Sequence, residues 1–180
     1  MEEKLYFAYG SNINLDQMAM RCPSAQVVGP VVLEDQELLF RGNAGSYGVA
    51  TIAPHPGHKV YGLLWRITPA CEQSLDRYEG YPSLYGKEPV TVRDQSGQEH
   101  TVMAYIMTGG DWWRDPAMPS PGYYEGIREG FRQNGLPLAP LAAAHRHTQD
   151  EVREMAVRNF GLCGTKSRPP KRKGEKNHER

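Results

Sequence analysis

Apolar residues recur in this chain as short runs separated by glycine, proline and polar residues. The first run, Lys4–Ala8, is almost wholly apolar, which predicts a strand in the centre of a sheet. Further segments rich in valine, isoleucine, tyrosine and threonine predict more strands, at residues 25–40, 48–53, 59–67, 90–93 and 101–107.

Helix start signals lie between these runs. Asn12 or Asn14 can cap a helix after the first strand. Thr68 followed by Pro69 predicts the start of a second helix, because a capping hydroxyl precedes a proline at the first helical position. Gly80 is typical of the residue just beyond a helix end.

Ser120 followed by Pro121 repeats this start signal before a helix over residues 123–134. Thr148, with Glu151 three residues later, predicts a capping box for a last helix that ends near residue 161. About six strands and three or four helices, without strict alternation, indicate an α+β fold with a mixed or largely antiparallel sheet.

Charge is unevenly distributed, although the formal net charge is zero. Residues 164–180 carry seven Lys and Arg against two Glu, so residues 1–163 have a net charge of −5. The tail has no apolar residue that could join a core, which predicts one folded domain over residues 1–163 and a disordered basic tail. The tail could contact nucleic acid, but a solubilising end is the simpler interpretation.

The rest of the composition favours a cytoplasmic globular protein. No apolar run is long enough for a transmembrane helix, and the acidic residues after Met1 do not suit a signal peptide. Cys22, Cys71 and Cys163 are far apart in the sequence and odd in number, which argues against a disulfide framework.

The stretch Tyr9-Gly10-Ser11-Asn12 lies where the first strand gives way to the first helix. Backbone N–H groups at such a junction are unpaired and attract negative charge, and glycine lets a ligand approach the backbone. The stretch is therefore either a ligand cradle or an ordinary turn with an asparagine cap.

Glu79 is predicted at the C-terminal end of the second helix. The helix dipole and the neighbouring Tyr78, Tyr81, Leu84 and Tyr85 would raise its pKa. A carboxyl group tuned toward neutral pH is what general acid/base catalysis requires. The competing interpretation is a solvated surface glutamate.

Tyrosine is unusually frequent near glycine, proline and polar turns. These tyrosines could line a small polar pocket with their hydroxyls, or fill the edge of the core with their rings. The candidates are Tyr85, Tyr105, Tyr123 and Tyr124.

Other chemistries have little support. Ser11 lacks the G-x-S-x-G elbow of many serine hydrolases, and no glycine motif for phosphate or dinucleotide binding is present. The run His145-Arg146-His147 offers too few ligands for a metal ion. No metal or other cofactor is expected.

Several motifs in a fixed order resemble the γ-glutamylcyclotransferase family, which includes γ-glutamylamine cyclotransferases and avirulence-induced-gene-like proteins. The motifs are FAYGSN, GVATI, VYGLLWRI, LDRYEGY, AYIMT and PSPGYYEGI…NGLP. They span residues 5–137, which is most of the predicted domain.

The resemblance implies a small mixed, mostly antiparallel β-barrel or bent sheet flanked by helices. It implies an enzyme that releases 5-oxoproline from a small γ-glutamyl compound, with Glu79 as the catalytic acid/base. Because the substrate's own α-amino group attacks its γ-carbonyl, no enzyme nucleophile is needed. The implied substrate-binding residues are Tyr9, Gly10, Ser11, Asn12, Tyr85, Tyr105 and Tyr123.

The motifs do not specify the leaving amine, nor whether the protein is a monomer or a homodimer. Residues 109–118, GGDWWRDPAM, and the region after Pro137 depart from the family pattern and are expected to shape the leaving-group side of the pocket. Because some family members have no demonstrated activity, a non-catalytic binding protein on the same fold is the alternative. The carboxylate at position 79 favours the enzyme.

Overall fold

A computed structural model describes residues 3–42, 46–109 and 115–163, with side chains up to residue 159. These residues form strands, α-helices and a 3-10 turn at Ser11–Ile13. In chain order the elements are β1 (Lys4–Ala8), α1 (Leu15–Arg21), β2 (Gln26–Gly42), β3 (Val49–Ile67), α2 (Pro69–Glu79), β4 (Tyr85–Asp94), β5 (Glu99–Met107), β6 (Asp115–Pro116), α3 (Pro121–Gln133) and α4 (Leu138–Cys163).

Five strands close into a barrel, and β6 lies outside it against β2. The order around the barrel is β3, β1, β5, β4 and β2, and β2 pairs with β3 to complete the ring. β1 runs antiparallel to β3 and parallel to β5, so Tyr6 has Trp65 on one side and Met103 on the other. The other pairs are antiparallel. The predicted α+β fold, with a mixed and mostly antiparallel barrel, is confirmed.

β2 and β3 form a long hairpin. The sequence predicted two strands, at residues 48–53 and 59–67, where the structure has one, because residues 54–58 remain within β3. The register between β2 and β3 shifts after Val27 and again after Glu34. Such irregularities bend a strand and increase its twist, which allows this hairpin to curve around the barrel.

The core extends from the barrel to α3 and α4. Its largest buried side chains include Phe7, Phe40, Phe131, Leu63, Leu64, Ile67, Leu75, Ile127 and Leu141. α3 approaches the turn after β1 so closely that a Cβ atom on Gly130 would lie 2.6 Å from the backbone nitrogen of Asn14. The turn is therefore held firmly between the barrel and α3.

The predicted helix starts before α1, α2 and α3 are confirmed. The side chains of Asn14, Thr68 and Ser120 each accept a hydrogen bond from the backbone N–H three residues later. Asn14, rather than Asn12, is thus the cap of α1.

The predicted helix start at Thr148 is wrong. α4 begins at Leu138 and continues through this position. The Thr148 side chain is fully buried, and its hydroxyl donates to the carbonyl of Ala144 at 3.0 Å. Because the hydroxyl is satisfied by the preceding turn, the helix can continue through the threonine.

The predicted disordered tail lies outside the described residues, so the domain boundary at residue 163 stays a prediction. None of the helices among the described residues is long and apolar enough to cross a membrane. Cys22 and Cys71, which are distant in sequence, are close in space, with 3.5 Å between the Cys22 Sγ and the Cys71 carbonyl oxygen. Both thiols are buried and free.

Candidate active site

Glu79 is the last residue of α2. Gly80 ends the helix in the left-handed conformation, with a φ of 66°, which glycine adopts without strain. The half-buried Glu79 side chain forms part of the wall of a pocket, and its Oε1 accepts a hydrogen bond of 2.8 Å from Asn12 Nδ2. The carboxyl group is therefore held in place from the opposite side of the pocket.

Asn12 connects Glu79 to the barrel. Its amide nitrogen also donates to the Tyr6 hydroxyl at 2.9 Å, and its Oδ1 accepts from Arg21 Nη1 at 2.6 Å. Its backbone carbonyl accepts from the Trp65 indole at 3.0 Å. Both amide protons are thus in use, so the buried Asn12 side chain positions the carboxyl group.

Arg21, at the end of α1, joins the turn after β1 to α2. Its guanidinium carbon lies 3.7 Å from the centre of the Tyr78 ring. The same group donates to Ser11 Oγ at 3.2 Å and to Gln17 Oε1 at 2.8 Å. Ser11 Oγ also lies 3.0 Å from the Tyr78 hydroxyl. Ser11 is thus part of a polar network, and no histidine is among these partners.

The pocket encloses a volume of about 190 Å³. This is smaller than the roughly 300–1,000 Å³ of sites that enclose drug-sized ligands, so it suits a single amino-acid-sized group. The structure places every predicted site residue on its wall: Tyr9, Gly10, Ser11, Asn12, Glu79, Tyr85, Tyr105 and Tyr123. The wall also includes Tyr6, Val49, Ala50, Tyr78 and Leu84.

The surroundings of Glu79 stabilise its protonated form more than water does. Burial raises its pKa from the ordinary 4.5 to about 7, although the Arg21 charge and the Asn12 hydrogen bond both lower it. The predicted rise in pKa is confirmed, and desolvation is its leading cause. Leu84 and Tyr85 contribute to the wall as expected, whereas Tyr81 is exposed and lies outside it.

The tyrosine hydroxyls on the wall differ in how their protons are used. Tyr9 donates to the carbonyl of Tyr105, and Tyr85 donates to the carbonyl of Ala50, each at 2.5 Å. Tyr123 instead accepts from the Ala50 N–H at 3.1 Å, so its own proton stays available. Burial raises the pKa of Tyr123, which keeps the hydroxyl neutral.

The Tyr105 hydroxyl belongs to a charged network outside the turn. It donates to Asp76 Oδ1 at 2.6 Å. Lys87 lies 2.8 Å from Asp76 and 2.7 Å from Glu72. Tyr9, Tyr85 and Tyr105 are buried core residues that also line the pocket. Tyrosine rings therefore fill the core and line the pocket at the same time.

The candidate Tyr124 and the thiol of Cys22, which could in principle act as a nucleophile, have no part in the described pocket wall. Tyr124 packs against His145, with 4.4 Å between ring centroids. Burial raises the pKa of Cys22 to about 12, so its thiol remains protonated. Neither residue is positioned for chemistry at Glu79.

The segment over residues 109–118 is described only in part, because residues 110–114 lie outside the described ranges. Asp115–Pro116 forms β6 and pairs with β2. The described lining of the pocket includes no residue of this segment and none of the region after Pro137. The expected role of both regions on the leaving-group side stays a prediction.

Arg21 and the positioning role of the Asn12 side chain could not be identified from the sequence. A basic residue in the last turn of a helix is common on protein surfaces, where it complements the helix dipole. Nothing in the local pattern therefore distinguished Arg21 from a solvated side chain.

The barrel, the turn after β1 and the carboxyl group at the end of α2 define a cyclotransferase-like protein. Residues 6–125 match the model of the family described as gamma-glutamyl cyclotransferase, AIG2-like. The chain belongs to this family, so the resemblance found in the motifs is confirmed.

Curated relatives agree with this assignment. The gamma-glutamylcyclotransferase of Homo sapiens is 38% identical over 144 residues, which cover 76% of this chain and 74% of the relative. The Mus musculus protein of the same name is 37% identical over 143 residues, with the same coverage. A solved structure named gamma-glutamyl cyclotransferase aligns with a TM-score of 0.69 at 35% identity, covering 79% of this chain and 86% of that one.

Proposed function

We propose that this chain releases 5-oxoproline and a free amine from a γ-glutamyl compound. The observation that carries the proposal is the half-buried carboxyl group of Glu79, with a pKa of about 7, hydrogen-bonded to Asn12 within a small pocket. The relatives named gamma-glutamylcyclotransferase support the same activity.

In the proposed reaction, the α-amino nitrogen of the glutamyl group attacks its own γ-carbonyl carbon. The bond from that carbon to the leaving nitrogen then breaks, and a five-membered lactam remains. Because both reacting groups belong to one molecule, the pocket has to hold the bent conformer and does not have to supply a nucleophile.

Glu79 would transfer the protons of this reaction. The α-amino group arrives as an ammonium ion and loses a proton to the Glu79 carboxylate before it attacks. The protonated Glu79 then gives this proton to the leaving amine. The ring nitrogen loses its second proton to the same carboxylate, which passes it to the released amine, so the amine leaves as an ammonium ion. A pKa of about 7 suits both steps, because neither protonation state is strongly favoured at neutral pH.

Neutral groups would bind the substrate's carboxylate and the developing oxyanion, because Glu79 is the charged side chain in the described lining. The first hydrogen bond inside the 3-10 turn runs from the Ile13 N–H to the Gly10 carbonyl. The backbone N–H groups of residues 10–12 come before it and have no partner inside the turn, so they can bind a ligand. We assign these groups and the Tyr123 hydroxyl to substrate binding. Tyr85 and Tyr105 would form the fixed walls.

The leaving group would project through the mouth of the pocket, since the enclosed volume suits only the glutamyl end. A γ-glutamyl amino acid or a γ-glutamylamine fits this arrangement. The free, buried thiols of Cys22 and Cys71 favour a reducing compartment such as the cytoplasm.

The proposal is tested by incubating the full-length protein with γ-glutamyl amino acids, γ-glutamylamines and glutathione, and measuring 5-oxoproline by mass spectrometry. At least one substrate should give product with the wild type, and Glu79→Gln should lose this activity. Glu88→Gln is the matched control, because Glu88 is an exposed glutamate on β4 that is absent from the described pocket wall. A thermal shift without product from any compound would instead indicate a binding protein on the same fold.

A further inference from the structure

A second group of chemically active side chains lies on the β2–β3 hairpin. Glu37 belongs to β2, and His55 and His58 belong to β3. One ligand atom from each residue lies within 4.8 Å of the other two. None of the three is part of the described wall of the pocket around Glu79, so the cluster is separate from the proposed reaction.

The irregular pairing of the hairpin brings these side chains together. Residues 55–58 of β3 stand opposite the single residue Asp35 of β2. Gly57, with a φ of 80°, donates its N–H to Asp35 Oδ1 at 2.8 Å, which ties the irregular stretch to β2. As a result, the rings of His55 and His58 stack with 3.6 Å between centroids and 11° between planes.

We propose that Glu37, His55 and His58 bind a divalent transition-metal ion, for which zinc is the best match. Two imidazoles and one carboxylate are zinc ligands, and water can take the fourth position. Magnesium and calcium prefer oxygen ligands, so they fit this set less well.

The distance between two of the three ligand atoms is close to that of a metal site, and His58 lies within 4.8 Å of both. Glu37 Oε2 lies 2.9 Å from His55 Nδ1. Two ligands of a tetrahedral zinc ion, with bonds of about 2.0–2.1 Å, are about 3.3 Å apart. When the ion binds, it replaces the proton shared by Glu37 Oε2 and His55 Nδ1. That proton moves to Nε2 of His55 or is released to solvent.

Binding also requires the stacked rings to rotate until one nitrogen of each faces the ion. The His55 side chain is 43% exposed, and His58 is exposed as well. Solvent therefore leaves room for this rotation without disturbing the core.

Nearby charges are compatible with a cation at this position. Lys59 Nζ lies 3.5 Å from Glu34 Oε1, so its positive charge is balanced. Glu37, His55 and His58 line a groove that His147 of α4 also borders, and His147 Nε2 lies 3.6 Å from Glu151 Oε2. A bound ion would connect β2 to β3 where their hydrogen-bond ladder is interrupted, and would stabilise the hairpin there.

The site is tested by titrating untagged full-length protein with zinc in a calorimeter, and with cobalt(II) while recording visible absorption. The wild type should bind one ion per chain with micromolar or tighter affinity, give the absorption of tetrahedral cobalt, and melt at a higher temperature with zinc. The double variant His55→Gln/His58→Gln should bind zinc weaker by a factor on the order of 100 or more and lose the thermal shift.

His100→Gln is the matched control. His100 also contacts a carboxylate on a hairpin, with its Nε2 2.8 Å from Asp94 Oδ2, but it belongs to no three-ligand group among the described residues. This variant should bind zinc like the wild type. Circular dichroism and the metal-free melting temperature should be the same in all three proteins. Equal zinc affinity in the wild type and the double variant, or wild-type binding only at millimolar zinc, would overturn the proposal.

Discussion

Asn12 and Glu79, separated by 67 residues in the chain, are joined by a hydrogen bond of 2.8 Å from Nδ2 to Oε1. This contact brings the turn after β1 to the C-terminal end of α2. It also sets the carboxyl group beside the backbone that is proposed to bind the substrate. Substitutions around this contact separate its chemical role from its structural one.

Glu79→Gln is expected to lower kcat by roughly 10²- to 10⁴-fold, the range that general acid/base catalysis contributes. The glutamine Oε1 can still accept from Asn12, so the fold and substrate binding should be retained. Steady-state kinetics and ligand-induced thermal shifts measure the two effects. Turnover close to that of the wild type would rule out Glu79 as the acid/base.

Arg21→Gln is expected to move the acidic limb of the kcat/KM profile to higher pH. The Arg21 charge lowers the pKa of Glu79, so removing it leaves the carboxyl group protonated over a wider range. Activity needs the carboxylate for the first proton transfer and should therefore rise with pH through this pKa. Arg21→Lys keeps the charge and should shift the limb less. Identical limbs for Arg21→Gln and the wild type would contradict the electrostatic role of Arg21.

The stability of the protein should decrease as the pH rises from 4.5 to 7. The pKa of Glu79 is about 7 in the folded state against an ordinary 4.5, so the folded state holds the additional proton in this interval. At 1.36 kcal/mol per pKa unit, the contribution of Glu79 to the free energy of unfolding falls by up to about 3 kcal/mol over this range. Above pH 7 this contribution no longer changes with pH. Glu79→Gln lacks this contribution. Urea unfolding of both proteins at pH 5 and pH 8 measures it, and parallel changes would show that Glu79 is not responsible.

Tyr123→Phe and Tyr85→Phe should have different effects. Tyr123 keeps a proton for the substrate, so its loss is expected to lower kcat/KM roughly 10- to 100-fold, in addition to the stability lost when the Ala50 N–H is left without its acceptor. Tyr85 donates to the Ala50 carbonyl, so its loss should destabilise the fold by about 1–3 kcal/mol with a smaller effect on kcat/KM. Urea unfolding measures the loss of stability in each variant, and kinetics distinguishes the two. A larger kinetic defect in Tyr85→Phe would reverse the assignment.

Gly130→Ala is expected to destabilise the protein by about 1–3 kcal/mol, because its Cβ would meet the Asn14 nitrogen at 2.6 Å. Gly122→Ala in the first turn of the same helix meets nothing within 4 Å. That control should be neutral or stabilising by up to about 1 kcal/mol, as alanine is the better helix former. Equal melting temperatures for the two variants would contradict the close contact between α3 and the turn.

Local signals predicted most of the elements of this fold. A capping side chain acts on a backbone N–H three residues away, so the helix starts after Asn14, Thr68 and Ser120 could be identified without tertiary information. Thr148 shows the limit of this reasoning. Its spacing to Glu151 suits a cap, but burial of one face of α4 carries the helix through it.

The sequence predicted part of the pocket wall, but neither Arg21 nor the contacts between the residues. The order of the motifs singled out Glu79 and the turn, whereas the bonds of Asn12 and Arg21 depend on distances set by barrel closure. Likewise, the cluster of Glu37, His55 and His58 depends on the register between β2 and β3. The alternation of apolar residues does not predict this register where the pairing is irregular.

The position of β1 between β3 and β5 has a consequence for the order in which the protein folds. The turn that carries Asn12 follows β1 directly, and its contact with Glu79 spans 67 residues of the sequence. Hairpins formed by neighbouring strands can arise earlier, because their contacts are closer in the sequence. Release of 5-oxoproline during refolding is therefore expected to begin after the spectroscopic signals of hairpin formation appear.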